Sequence, residues 1–165
     1  MPVDDVDALP LHPGFAASWQ GLRPLLDARV ALIVDAANVV GSKPDGWWRD
    51  RVGATERLAA DLGRLAAGGV PGAVLTDAPL VATRWPGIVL VVEGEAKAAQ
   101  ELPAPDLLTV VRAPADGDSA VVAEARARVG SARVVVVTAD RELASRSAAV
   151  GATVIGPSAL RDLLA

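Results

Sequence analysis

Acidic side chains recur at one kind of place in this sequence, just past its most apolar runs. "RVALIVD" (29–35) closes on Asp35, and "IVLVVE" (88–93) closes on Glu93. "LLTVVRA" (107–113) leads into Asp116 and Asp118, and "ARVVVVTAD" (132–140) ends on Asp140. Asn38 follows Asp35 by three positions, and "GSKPDGWWRDR" (41–51) then sets Trp47 and Trp48 beside Lys43, Arg49 and Arg51. There is no cysteine or tyrosine, and His12 is the only histidine. Thiol chemistry, Cys-ligated zinc and disulfides are excluded, and the lone His leaves little room for a histidine metal site or a Ser-His-Asp triad. Carboxylates, hydroxyls, amides and cations must carry the chemistry.

If Asp35, Asp118 and Asp140 share one crevice, each pair repels by about 4 kcal/mol at about 4 Å and an effective dielectric of about 20. A divalent cation relieves that conflict, and oxygen-only ligands suit Mg²⁺ or Mn²⁺. Glu93 and Asp116 are further candidate ligands. A carboxylate cluster holding such ions activates water against a phosphodiester. Each acid also has a plainer explanation. Asp118 and Asp140 fit helix N-caps, worth about 1 kcal/mol each over Ala. Glu93 before Gly94 fits a solvated strand end, and Asn38 fits a turn. Asp35 is harder to explain away, because a carboxylate ending so apolar a strand requires a partner. In the loop beyond it, aromatics can stack bases and cations can hold phosphates, which suits single-stranded nucleic acid. At least one of the two tryptophans is expected to anchor the loop by packing beneath it.

The elements that position these residues alternate. Strands are expected at 29–35, 88–93, 107–113, 132–138 and 152–156, and 72–76 is a strand or a connection. Amphipathic helices are expected at 54–67, 96–102, 118–130, 141–151 and 157–165. "GGVPG" (68–72), Gly130 and Gly151 act as stops, and Pro157 sits at a favoured first helical position. Residues 1–28 read as a tail with a lead-in helix over 13–27, ahead of one domain at 29–165. Apolar strands alternating with amphipathic helices predict an α/β fold, a mostly parallel central sheet with helices on both faces. Ligands of such sheets bind outside the carboxyl ends of the strands, where the strand order reverses.

The 165 residues are 52% hydrophobic and 22% charged, with a formal net charge of −4. That composition is globular, and it lacks the bulk basic field of many nucleic-acid binders, so RNA contact would rest on a local patch or on bound metal. No apolar stretch is long enough to span a membrane, and the acidic first residues do not have the pattern of a signal peptide. The expected setting is the cytoplasm, with no membrane partner.

"IVDAANVV" (33–40), "GDSAVV" (117–122) and "VVVVTADREL" (134–143) resemble, in order and spacing, the motifs of the NYN-type, PIN-like ribonuclease domains. The resemblance spans residues 30–156. It implies a PIN-like three-layer sandwich and a Mg²⁺- or Mn²⁺-dependent endoribonuclease. Asp35, Asp118 and Asp140 match the family's metal-binding acids, Asn38 its motif asparagine and Glu93 a further acid. Arg141, next to Asp140, joins Asn38 and the tryptophan loop as a candidate RNA contact. PIN-like domains often pair, so a homodimer is compatible with the resemblance. Two positions depart from the family: Ala36 stands where Gly is frequent, and Ser119 where a second acid commonly follows. A catalytically weak RNA-binding or interaction module is therefore the main alternative. A third reading, Toprim-like, uses "VVEGEAKA" (91–98) and "DGD" (116–118) but leaves Asp35 and Asp140 idle. Neither a dinucleotide-binding nor a P-loop glycine pattern is present, and Ala37 occupies the place where a haloacid-dehalogenase-like phosphatase would need a second Asp.

Overall fold

The structure is a computed structural model that describes residues 30–71, 83–100 and 108–165. The expected tail and lead-in helix, the strand at 72–76 and the end of the helix at 96–102 lie outside the described residues. Five strands form a parallel sheet: β1 (Val30–Asp35), β4 (Gly87–Val92), β5 (Leu108–Arg112), β6 (Arg133–Val137) and β7 (Thr153–Ile155). Their order is β5-β4-β1-β6-β7. Two short strands, β2 (Val70–Pro71) and β3 (Thr83–Arg84), pair antiparallel beside it. The helices are α1 (Ala36–Gly41), α2 (Arg51–Gly68), α3 (Gly117–Arg128), α4 (Arg141–Ala149) and α5 (Pro157–Leu164). Among the described residues no helix is long and apolar enough to cross a membrane.

Side chains of a strand alternate between the two faces, and the two halves of the core follow that period. Val30, Leu32 and Val34 of β1 join Leu90 and Val92 of β4, and pack with Val39 of α1, Leu62 of α2 and Leu160 of α5. Ala31 and Ile33 join Val89, Val91, Val134 and Val136, and pack with Val121 of α3 and Leu143 of α4. Leu32, Leu62, Leu143 and Leu160 have no exposed surface. Each contributes about 2 kcal/mol of burial. The sheet is thus covered on both sides, which is the three-layer arrangement expected from the sequence.

Several boundaries differ from expectation for local reasons. Helix α2 starts at Arg51 because Asp50 accepts the Gly53 N–H at 2.8 Å, so the helix begins three residues early. Gly69 (φ 78°) and Gly151 (φ 103°) adopt the left-handed backbone past α2 and α4, as stops should. Gly130 is no such stop, since α3 ends at Arg128 with Val129 still in a right-handed conformation. The helix expected from 96 is, in its described part, a short 3₁₀ turn, Gly94–Ala98. Helix α1 was not anticipated. It is one and a half turns long and is capped by Asp35.

Candidate active site

The period of two that divides the core also builds the site. Asp35 continues the Ala31–Ile33 side of β1, Glu93 the Val89–Val91 side of β4, and Thr138 the Val134–Val136 side of β6. All three leave the sheet at its carboxyl end, on the face covered by α3 and α4. The chain runs from β1 outward to β4 and β5, then returns to β6 on the other flank of β1. The reversal therefore lies between β1 and β6, and Asp35 and Thr138 stand on either side of it.

Asp35 is only 6% exposed. One carboxylate oxygen accepts the Asn38 backbone N–H at 3.3 Å, and the other faces the Thr138 hydroxyl at 3.5 Å. Thr138 Oγ1 also accepts the Asp140 N–H at 3.1 Å. Burial pushes the Asp35 carboxyl up to about 6, and the charges of Asp118 and Glu93 push the same way against the Asn38 N–H. Asn38 works in two directions: its backbone N–H holds Asp35, and its side-chain oxygen accepts the Ala139 N–H at 2.7 Å. It thereby ties α1 to the turn after β6.

The start of α3 corrects one sequence assignment. Its N-cap is Asp116, whose carboxylate accepts the Ser119 N–H at 2.7 Å and is held below the usual range by the Ser119 backbone and hydroxyl. Asp118 lies in the first turn and does not cap. Its carboxyl is raised by partial burial and then by Asp140 and Glu93, while Arg146 opposes the rise. Glu93 accepts the Gly117 N–H, and a Cβ at Gly117 would come 2.8 Å from the Glu93 carboxyl carbon, so a side chain at 117 would push that carboxylate aside. Asp140 caps α4 by accepting the Leu143 N–H at 2.9 Å. Arg146 was not among the sequence candidates. It lies one and a half turns along α4, and its guanidinium reaches the Ser119 hydroxyl at 3.5 Å. It reaches this end through the packing of α4 against α3.

Asp118 therefore lies within electrostatic reach of Asp35, Glu93 and Asp140, and Asp35 within reach of Glu93. Their oxygens are the right kind for Mg²⁺ or Mn²⁺, and Asp35 and Asp118 are raised first by burial and then by neighbouring acids, a charge conflict that a cation relieves. Their spacing is wider than ligation needs: among the described residues no group of three His, Cys, Asp or Glu side chains could hold a metal ion.

The tryptophan loop divides its labour. Trp47 and Trp48 begin a short 3₁₀ turn and meet edge to face, with ring centroids 6.3 Å apart. Trp47 is half-buried and packs near Gly41, with the Arg51 guanidinium 5.3 Å over its ring. Trp48 is 54% exposed, with Arg49 at 6.0 Å. Lys43 and Arg141 are exposed. Trp47 and Arg51 also line a cleft of about 430 Å³ that reaches Glu93 and Asp116.

No family model and no curated protein matches the chain. Among solved structures it is similar to Rae1 (YacP) from Bacillus subtilis, determined as a tryptophan-to-leucine mutant. The TM-score is 0.53 at 14% identity, covering 81% of this chain and 74% of that one. At that identity the likeness concerns the fold, and it agrees with the PIN-like α/β sandwich.

Proposed function

We propose that this protein is a divalent-metal-dependent endoribonuclease of the PIN-like class, acting on single-stranded RNA in the cytoplasm. The observation that carries the reading is the gathering of Asp35, Glu93 and Asp140 around Asp118 beyond the carboxyl ends of the strands, with Asp35 and Asp118 raised first by burial and then by their neighbours. Asp118 matters most here, because Asp116 has taken over the capping duty and leaves the Asp118 carboxylate free of an N-cap hydrogen bond.

A bound Mg²⁺ or Mn²⁺ would supply an activated water and charge neutralisation at the scissile phosphate. Asp35, Asp118 and Asp140 would hold it, with Glu93 beside them. Thr138 and the Asn38 backbone hold the Asp35 carboxylate in place. Arg146 stands at the rim, where its guanidinium can take a non-bridging phosphate oxygen. Trp48, Arg49, Lys43 and Arg141 offer an exposed path for the strand.

The test is cleavage of an end-labelled single-stranded RNA in Mn²⁺, wild type beside Asp118→Asn, with EDTA as control. Metal-dependent cutting that the substitution abolishes supports the reading, and cutting indifferent to both ends it. The second reading, an RNA-binding module without catalysis, is favoured by the absence of a three-ligand group among the described residues and by Ser119 with its Arg146 contact. It predicts RNA retention with no cutting and no stabilisation by Mn²⁺. A metal-binding protein would instead gain about 2.7 kcal/mol at a hundred times Kd.

A further inference from the structure

We propose that the cleft beside the acid cluster is a base-recognition site that seats one unstacked nucleobase, with guanine preferred. The inference rests on the RNA-binding part of the reading above. The cleft, about 430 Å³, lies between α1, the start of α2 and the 94–98 turn, and it shares Glu93 with the acid cluster. A base seated there therefore belongs to a nucleotide adjacent to the phosphate at the cluster. The volume suits one nucleotide and leaves no room for a duplex.

The lining selects a base over a phosphate. Glu93, Glu95 and Asp116 outnumber Arg51, so an anionic group is repelled while a neutral ring is admitted. One side is apolar, with Val40 and the Trp47 indole. Arg51 lies over Trp47 at 5.3 Å, and its Nε faces the Glu95 carboxylate at 3.9 Å. The aromatic ring fixes the plane of the guanidinium, and both charged side chains keep much of their surface free. A carboxylate and a guanidinium side by side present acceptors next to donors. Guanine alone among the RNA bases matches both: its N1–H and N2 amino group donate to a carboxylate, and its O6 and N7 accept from an arginine. Adenine and cytosine offer an amino donor but no second N–H beside it, and uracil offers a single N–H.

The experiment measures binding of the full chain to two fluorescent heptanucleotides in EDTA, so that binding is read apart from cleavage. Both probes are oligouridine, one with a central guanosine and the other with a central adenosine. The wild type should bind the guanosine probe roughly tenfold more tightly. Glu95→Gln should bring the two affinities close to parity. Glu95 is exposed, so the fold should survive, and circular dichroism checks that it does. Equal binding of the two probes by the wild type overturns the proposal, as does a guanosine preference that persists in Glu95→Gln, or failure of both probes to bind. The two readings separate cleanly. Guanosine preference without any cutting in Mn²⁺ removes the nuclease and keeps the cleft, and cutting without base preference does the reverse.

Discussion

Helices α3 and α4 start side by side at the carboxyl end of the sheet, and each brings an acid to the same crevice, but they begin differently. Helix α4 has one carboxylate for two tasks: Asp140 caps Leu143 and faces Asp118. Helix α3 has separated them, with Asp116 capping and Asp118 unencumbered. Its first N–H is further satisfied from outside the helix, by Glu93. Where one residue serves structure and chemistry together, a substitution confounds them. Where they are divided, each can be read alone.

The largest expected effect follows from that division. Asp118→Asn should reduce RNA cleavage about a thousandfold, the loss expected when several kcal/mol of transition-state stabilisation is removed. Thermal stability should stay the same or rise, and a cooperative loss of folding would assign Asp118 to structure. The next effect is on stability and concerns Asp35, the acid both helices face. Its pKa is about 6 in the native state against an ordinary value of 3.8, so as pH falls the native chain takes up this proton before the unfolded chain does. Stability should therefore fall by up to about 3 kcal/mol as pH rises from about 4 through about 6. Asp35→Asn should remove that fall and be the more stable protein at pH 7, as read by urea unfolding in EDTA across this window.

Smaller effects sharpen the contrast between the two starts. Asp116→Ala and Asp140→Ala should each cost about 1 kcal/mol as lost caps, with Asp118→Ala costing less. Asp140→Asn should keep its cap and lose activity, since Asn is as good an N-cap as Asp. The smallest change belongs to Arg146→Gln, which should leave stability within about 0.5 kcal/mol of the wild type. Its signature is kinetic: a lower kcat on RNA and a weaker dependence of binding on salt.

Much of this was legible in the sequence. The all-valine run before Thr138 and the apolar run before Asp35 marked buried strands, and the acids beyond them marked the crevice. The capping role fell on Asp116 and not Asp118: "DGDS" allows either register, and in the fold Asp116 takes the Ser119 N–H while Glu93 takes the Gly117 N–H. Helix α1 was hidden by its length, since six residues give no readable period, and its cap is an acid already singled out for chemistry. Arg146 could not be read at all without the packing of α4 on α3, because its partner Ser119 lies 27 positions away. The loop tryptophans looked equivalent as neighbours, and only the fold distinguishes the half-buried Trp47 from the exposed Trp48.

The Asn38 side chain, which takes the Ala139 N–H at 2.7 Å, has a mechanical meaning. Helix α1 and the turn after β6 belong to opposite flanks of the point where the sheet reverses direction, and a doubly wound sheet is most easily prised open along that line. The amide–carbonyl strap sets a fixed jaw width there, independent of what lies between the jaws. The amide proton of Ala139 is therefore a built-in gauge. Surface-exposed by position, it should exchange with solvent as slowly as the crevice opens, and its rate reads the stiffness of the site without any substrate.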